Sequence, residues 1–232
     1  MKRTYARRQV LALLMAAFVA CFVLISQQEQ FSQVSVLSSE LEAEYFDKKT
    51  ALEALGSLEV KGRAPKTGYA RAQFGGGWSR EGLCDMRNII LARDLTEVRV
   101  DEQCRVQQGV LNDPYTGEVV VFERGESSSQ EVQIDHVVAL SDAWQKGAQA
   151  LSYERRVELS SDPLNLLAVS GPANQQKGDG DAATWLPPNR SFRCQYVARQ
   201  IAVKKKYDLW VTRAEKNAAM RVLGLCPGQR LP

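Results

Sequence analysis

The heptapeptide Ile134-Asp135-His136-Val137-Val138-Ala139-Leu140 contains the single histidine of this 232-residue chain, His136. The histidine ends a strand-like run that begins at Val132. Imidazole has the ordinary pKa closest to neutrality, so general-base chemistry by imidazole has only this residue to use. A lone histidine beside apolar residues is more often structural than catalytic, and the polar residues that follow must therefore decide between the two roles.

The polar residues that follow are Asn165, Asn174 and Lys177. Asn165 opens an apolar run that predicts a short strand, and the Gly171-Pro172 turn before Asn174 predicts the start of a helix. Taken singly, the two asparagines could cap turns and the lysine could be a solvated side chain. Their order after an Asp-His pair at a strand end favours one shared chemical site.

This order resembles the ββα-metal nucleases of the HNH superfamily, in which an Asp-His pair ends the first strand and a metal ligand followed by lysine opens the helix. Residues 134–138, 165–167 and 174–178 are most similar to the C-terminal nuclease domain of the GmrSD family, especially its small exported actinobacterial members. The resemblance extends over roughly residues 75–220 through a shared framework: Gly77-Trp78, Cys84-Asp85, Asp113-Pro114-Tyr115-Thr116-Gly117, Trp185-Leu186-Pro187-Pro188 and Cys194 with Tyr196-Val197.

The resemblance implies an α+β fold with a ββα-metal (HNH-type) core and added helices. It also implies a role for each polar residue of the motif. His136 is the general base that activates water, while Asp135 and Asn174 hold one divalent cation. Asn165 orients the histidine side of the loop, and Lys177 contacts phosphate or supports the metal site. We therefore expect a metal-dependent endonuclease that leaves 5′-phosphate and 3′-hydroxyl ends.

The chain departs from its relatives at two points that concern the metal. Many HNH enzymes use histidines as metal ligands, but here the only histidine is assigned to the base. An oxygen-liganded site favours Mg²⁺ or Mn²⁺ over Zn²⁺. Some relatives carry an acid two residues before Asp135, where this chain has Gln133. A third protein ligand stays open, and Asp179 or Asp181 could supply it only if the helix turns back.

The first 26 residues predict a targeting segment. Four basic residues and no acid lie in positions 1–8, and residues 10–25 are apolar. The basic flank stays in the cytoplasm, so the rest of the chain should be exported and lie outside the cytoplasm. The run is short for a membrane span and no clear cleavage motif follows it. We favour an uncleaved anchor in the membrane over a removed signal peptide, which would give a secreted protein.

Cysteine usage agrees with export. Outside the apolar segment the chain has four cysteines, without a CxxC pair or a histidine partner for zinc. Pairing neighbours gives two disulfides, each worth about 3 kcal/mol by loop closure, and four free thiols are the alternative. The predicted pairs are Cys84 with Cys104 and Cys194 with Cys226.

Composition and punctuation predict one globular domain. The content of hydrophobic residues, 44%, excludes a disordered or fibrous chain. We place a polar, helical stalk and linker at 27–64 and the nuclease domain at 65–232. Within that domain, apolar patterns predict two strands joined by a loop at 118–123 and 132–138, and helices at 84–95, 141–148, 153–159, 191–206 and from Thr212 to Gly224.

Affinity for nucleic acid must come from local clusters. Four of the 30 basic residues lie in the targeting segment, which leaves 26 against 27 acidic residues in the rest of the chain. The predicted phosphate contacts are Arg193, Lys204 and Lys205 in the basic C-terminal third, with Arg87 and Arg124 near the cleft. No base-reading element is evident, so DNA, or RNA, should be cut with low sequence specificity. The alternative is a non-catalytic module that binds nucleic acid or protein on the same fold.

Overall fold

The computed structural model describes residues 50–125 and 128–232, apart from the side chains of residues 128 and 129. The predicted targeting segment and the stalk up to residue 49 lie outside these residues. Within them, no helix is both long enough and apolar enough to cross a membrane.

The described chain is a mixed α/β structure of short elements. Three 3₁₀ helices, Arg71–Phe74, Ala148–Ala150 and Arg190–Phe192, accompany the following strands and α-helices: α1 (Ala51–Ser57), β1 (Arg80–Glu81), β2 (Cys84–Asp85), α2 (Met86–Asp94), β3 (Thr96–Val100), β4 (Val106–Asn112), β5 (Val119–Glu123), α3 (Ser128–Glu131), β6 (Val132–His136), α4 (Leu140–Trp144), α5 (Tyr153–Ser161), β7 (Leu166–Ser170), α6 (Gly171–Lys177), α7 (Arg193–Lys206) and α8 (Arg213–Leu223).

The described strands form small antiparallel sheets, β1-β2, β3-β4-β5 and β6-β7. In the last sheet the register runs from Val132 opposite Ser170 to His136 opposite Leu166. Helix α6 begins directly after β7. A side chain at Gly171 would collide with the carbonyl oxygen of Gln130, so this junction requires glycine.

Two strands predicted as neighbours exist but do not pair with each other. Strand β5 pairs with β4, and β6 pairs with β7. The prediction missed β3 and β4 because β3 is mostly exposed and both strands carry several polar residues. Without β4 in view, β5 has β6 as its nearest apparent partner.

A first hydrophobic core lies between α2 and the strands. Asp85 caps α2 by accepting a hydrogen bond from the backbone N of Asn88, and the buried face of this helix packs against β4, β6 and β7. The residues of this core include Met86, Ile90, Leu91, Val106, Leu111, Phe122, Val132, Ile134, Leu166 and Ala168. The core therefore fixes the β6-β7 sheet from one side.

A second core joins α4, α5 and α7. The rings of Phe74 and Trp144 meet edge to face with 6.2 Å between their centroids. Around them are buried residues of the three helices and their connections, Val138, Leu140, Leu159, Val203, Tyr207 and Leu209. Because Phe74 belongs to the 3₁₀ helix Arg71–Phe74, this short helix is fixed to the second core.

Residues 50–64, which the sequence assigns to the stalk and linker, pack as part of the folded unit. Helix α1 has a capping box formed by Thr50 and Glu53 and buries Ala51, Ala54 and Leu55. Its first amide donates to the carbonyl oxygen of Gln229 near the C-terminus. The folded unit therefore extends at least to residue 50, well before the predicted boundary at 65.

Both predicted disulfides are confirmed. Cys84 bonds to Cys104, which ties the start of α2 to the β3-β4 turn. Cys194 bonds to Cys226, which ties the start of α7 to the segment after α8.

A cluster of six charged side chains, five of them buried and Arg63 exposed, joins distant parts of the chain and is called here the ion cluster. Its acidic members are Asp142, Asp181 and Glu215, and its basic members are Arg63, Lys146 and Lys204. Lys146 lies 2.7 Å from the carboxylates of Asp142 and Asp181 and 2.6 Å from that of Glu215. Positive and negative charges balance, as burial of ions requires.

The ion cluster corrects one prediction about nucleic-acid binding. Lys204 is buried, and its Nζ lies 2.7 Å from Glu215 and 3.3 Å from Asp142. Burial lowers the pKa of Lys204, but the two carboxylates raise it by a larger amount, so that the pKa lies above its ordinary value. Lys204 is therefore a structural cation that phosphate cannot reach.

Candidate active site

A cavity of about 470 Å³ opens at the end of β6. Asp135, His136 and Asn174 line it together, which brings the predicted base and both predicted cation ligands to one place. A second cavity of about 180 Å³ also borders His136, on the side of the 3₁₀ helix Arg71–Phe74. The side chains that determine the chemistry of the large cavity come from β6, from α6 and from residues 69–78.

His136 is held as a neutral imidazole. Its Nε2 lies 2.9 Å from the carbonyl oxygen of Ser160, and because a carbonyl can only accept, Nε2 must carry the proton. That carbonyl is among the last of α5 and has no partner within the helix. Burial lowers the pKa of His136 to about 4, and the charges of Arg71 and Lys177 act in the same direction. The other ring nitrogen, Nδ1, is thus an unprotonated base at neutral pH.

The ring of Trp78 limits the orientation of this imidazole. The two rings are parallel within 6° and their centroids are 6.2 Å apart. Trp78 also lines both cavities. The histidine is therefore fixed by a hydrogen bond at one ring nitrogen and by an aromatic face beside it.

The Asp135 carboxylate is held by two buried donors. Lys177 Nζ donates to Oδ1 at 2.9 Å, and the Tyr115 hydroxyl donates to Oδ2 at 2.5 Å. Lys177 also donates to the carbonyl oxygen of His136 at 2.9 Å. Burial raises the pKa of Asp135, while Lys177 and Tyr115 oppose that rise. Lys177 thus supports the predicted ligand from beneath and does not line the cavity.

Asn174 faces the cavity from α6. Its amide nitrogen donates to the side-chain oxygen of Gln133 at 2.9 Å, and its amide oxygen remains as an acceptor. Among the described residues, no group of three His, Cys, Asp or Glu side chains is placed to hold a metal ion. The set of one carboxylate and one amide still fits Mg²⁺ or Mn²⁺, because Mg²⁺ commonly takes one or two carboxylates and completes its octahedron with waters and substrate phosphates.

The two acids considered as a third ligand have different positions. Asp179 lines the cavity and accepts hydrogen bonds from Ser141 Oγ and Lys66 Nζ. Asp181 belongs to the ion cluster, where Lys146 and Arg63 lower its pKa to about 2 against the raising effect of burial. Asp181 is therefore committed to structure.

Asn165 is buried and lies outside the two cavities that border His136. Its Oδ1 accepts from the backbone N of Val138 at 2.8 Å, and its Nδ2 donates to the carbonyl oxygens of Val138 and Leu159. It thereby joins the loop that follows His136 to the end of α5, which carries Ser160. This position suits a residue that orients the histidine side of the loop.

The residues predicted to bind nucleic acid are spread over the surface. Arg87 lines the large cavity and donates to the carbonyl oxygen of Val132, and burial with the nearby charge of Arg124 lowers its pKa. Arg124 borders another cavity and donates to Asn88 and to a backbone carbonyl. Arg193 and Lys205 are partly buried on α7 and lie away from the large cavity.

Sequence reasoning missed Arg71, Trp78 and Tyr115 as site residues. The first two lie in a glycine-rich stretch that predicts only a loop. Tyr115 lies in the Asp113–Gly117 turn, and its ring packs edge to face on Tyr196 with 5.6 Å between centroids. An aromatic residue inside a strong turn signal was the available clue, because exposed turns rarely need a buried ring.

Two comparisons relate the chain to known proteins. The family described as GmrSD restriction endonucleases, C-terminal domain, matches residues 86–222. A protein of Arthroderma benhamiae named as an uncharacterized secreted protein is 38% identical over 179 residues, which cover 76% of this chain and 85% of that protein. No solved structure matches the chain.

Proposed function

The chain belongs to the family of GmrSD restriction endonuclease C-terminal domains, and on this premise we propose that it is an HNH-type endonuclease that hydrolyses phosphodiester bonds. One observation carries the proposal. The imidazole of His136, the carboxylate of Asp135 and the amide of Asn174 line one cavity. The hydrogen bond to Ser160 uses Nε2 of the imidazole, which leaves Nδ1 unprotonated. The order of β6, β7 and α6 along the chain, with α4 and α5 between the two strands, supports the ββα core that such a site needs.

His136 is the proposed general base. A water molecule beside Nδ1 gives its proton to that nitrogen as its oxygen attacks phosphorus, and the bond from phosphorus to the 3′ oxygen breaks. The departing 3′ oxygen takes a proton from solvent, so that the products carry a 5′-phosphate and a 3′-hydroxyl. The hydrogen bond from Nε2 to Ser160 becomes stronger when the ring is protonated, because the donor is then charged.

Asp135 and Asn174 are the proposed ligands of one divalent cation, Mg²⁺ or Mn²⁺ before Zn²⁺. Such a cation neutralises charge on the phosphate and on the departing oxygen. Lys177 and Tyr115 fix the ligand oxygens of Asp135, and Gln133 fixes the amide of Asn174. Side chains that orient ligands in this way commonly alter metal affinity or activity by about 10- to 100-fold when removed.

DNA is the proposed substrate, with RNA as a second arm of the test. Arg87, Arg124, Arg193 and Lys205 are proposed phosphate contacts, and contacts of this kind carry no sequence information. We further propose an extracytoplasmic location, supported by two disulfides and by the secreted relative. Attachment to a membrane through residues 1–26 is part of this proposal.

The experiment is plasmid cleavage by the purified, oxidised protein with Mg²⁺ or Mn²⁺, with Zn²⁺, and with a chelator. The proposal expects nicking and linearisation in Mg²⁺ or Mn²⁺ that the chelator abolishes. Binding of DNA without cleavage in any metal would favour a non-catalytic nucleic-acid-binding module. Parallel reactions with single-stranded DNA and RNA rank the substrates.

A further inference from the structure

Arg71 presents a guanidinium group to the site and has no hydrogen-bonded or ion-paired partner among the described residues. The residue is exposed, and its side chain lines both of the cavities that border His136. In the part of the chain that the structure describes, no hydrogen bond or ion pair holds this group. Arg87, the other arginine of the large cavity, donates to the carbonyl oxygen of Val132. Arg71 is thus available to a ligand.

The backbone that carries Arg71 is rigidly attached to the support of His136. Ser160 Oγ donates to the carbonyl oxygen of Phe74 at 2.7 Å, and Arg156 Nε donates to that of Gln73 at 2.9 Å. Ser160 also provides the carbonyl that accepts from His136. The end of α5 therefore holds both the base and the 3₁₀ helix of Arg71, which limits their relative movement.

The charges around the cavity favour an anion next to Arg71. The carboxylate of Asp135 is paired with Lys177, and that of Asp179 is paired with Lys66. Arg71 has no such acidic partner among the described residues, so its charge is not balanced locally. A guanidinium is a planar fork of donors that matches two oxygens of a phosphate.

We propose that Arg71 binds the scissile phosphodiester and is a catalytic residue of this chain, an inference that rests on the proposed nuclease function. The fork holds two non-bridging oxygens of a phosphate in the large cavity, which Asp135, His136 and Asn174 also line. Arg71 takes no part in the exchange of bonds. It positions the phosphate and stabilises the negative charge that develops on its oxygens.

Binding is measured without cleavage in the His136→Ala background, with a short fluorescein-labelled oligodeoxynucleotide and fluorescence anisotropy. Adding Arg71→Ala should weaken affinity roughly 5- to 10-fold and reduce the slope of log K against log salt by roughly one. The matched control is Arg221→Ala, which removes the same charge from an exposed position on α8 that lines neither cavity. The control should leave both values unchanged.

Kinetics in the active protein separate a catalytic from a structural role. Arg71→Ala should lower kcat at saturating DNA on the order of 10²-fold, and Arg71→Lys should keep most of the affinity but recover only part of kcat. Thermal midpoints of both variants should equal that of the unmodified protein, because no described residue forms a hydrogen bond or ion pair with the guanidinium.

The outcomes distinguish this inference from the nuclease proposal. The inference about Arg71 is overturned if adding Arg71→Ala to His136→Ala leaves the affinity for the oligonucleotide unchanged. It is also overturned if the His136→Ala protein binds no oligonucleotide. If the unmodified protein cuts nothing while Arg71→Ala still weakens binding selectively, hydrolysis is refuted and the phosphate contact stands.

Discussion

At the scale of single residues, the site depends on how firmly Asp135 is held. Each of its carboxylate oxygens accepts one hydrogen bond from a buried donor, Lys177 or Tyr115. The remaining lone pairs therefore point in fixed directions. Mg²⁺ requires near-ideal octahedral geometry, so a ligand that cannot rotate should raise affinity for the proposed cation.

Tyr115→Phe should weaken binding of the cation without disturbing the fold. The ring keeps its packing among Trp185, Phe192 and Tyr196, while the hydrogen bond to Asp135 Oδ2 is lost. We expect the concentration of Mg²⁺ that gives half-maximal cleavage to rise about 10-fold or more. Titration of the cleavage rate with Mg²⁺ measures this, and an unchanged midpoint would contradict the positioning role.

The depressed pKa of His136 makes stability depend on pH. The folded chain protonates this ring near pH 4, whereas the unfolded chain does so near the ordinary value of 6.5. Between these values the unfolded state binds more protons, so the free energy of unfolding falls as pH decreases. The full loss is on the order of 3 kcal/mol and is reached below about pH 4.

Urea unfolding of the native protein and of His136→Gln, measured across this pH range, isolates the contribution of the histidine. Glutamine keeps an amide donor but does not titrate. The native protein should lose more stability than the variant between pH 6.5 and pH 4. If the free energy of unfolding falls equally with pH in the native protein and in His136→Gln, the imidazole is not held neutral in the folded state.

At the scale of elements, much of the site could be predicted from sequence even though α4 and α5 separate its two strands. Strand β6, strand β7 and helix α6 each have a local signal: an apolar run, a second apolar run, and Gly171-Pro172 before a polar segment. The short strand predicted from Asn165 onward is confirmed to within one residue, since β7 begins at Leu166. Strands β3 and β4 were not predicted because their sequences are polar. Arg71 was not predicted as a site residue because the glycines near it indicate only a loop.

The disulfide between Cys84 and Cys104 holds the element that carries Arg87. It closes a loop with a sequence separation of 20, so replacing both cysteines by serine should cost about 3 kcal/mol of stability. Because α2 starts beside Cys84, the start of this helix should fray and KM for DNA should rise. Urea unfolding and steady-state cleavage measure the two effects, and a KM equal to that of the native protein would refute the link to α2.

At the scale of the whole molecule, the ion cluster explains why a lysine-rich helix end is not simply a binding surface. The run Lys204-Lys205-Lys206 resembles a solvated face in sequence. In the structure Lys204 points inward, because it forms ion pairs with the buried carboxylates of Asp142 and Glu215. Asp142 lies 62 residues earlier in the chain, and Glu215 lies on the next helix. No local pattern encodes such partners, and the burial of Lys204 could not be foreseen.

Two neighbouring substitutions separate stability from binding. Lys204→Met leaves buried acids without one cation and should cost roughly 3–5 kcal/mol, with affinity for DNA unchanged below the melting transition. Lys205→Met removes the same charge from a partly exposed position, and should leave stability within about 0.5 kcal/mol while weakening DNA binding. Differential scanning calorimetry and anisotropy measure the two effects. A loss of affinity in Lys204→Met alone would contradict the assignment.

The central claim is that His136 is the base of a cation-dependent hydrolysis. Its most direct test is the single-turnover rate of plasmid cleavage in Mg²⁺ or Mn²⁺ by the native protein, by His136→Ala and by the control Arg221→Ala. We predict cleavage that a chelator abolishes, a fall of roughly 10²- to 10⁴-fold in His136→Ala, and no change in the control. Cleavage at the native rate by His136→Ala, or the absence of cation-dependent cleavage by the native protein, would contradict the account.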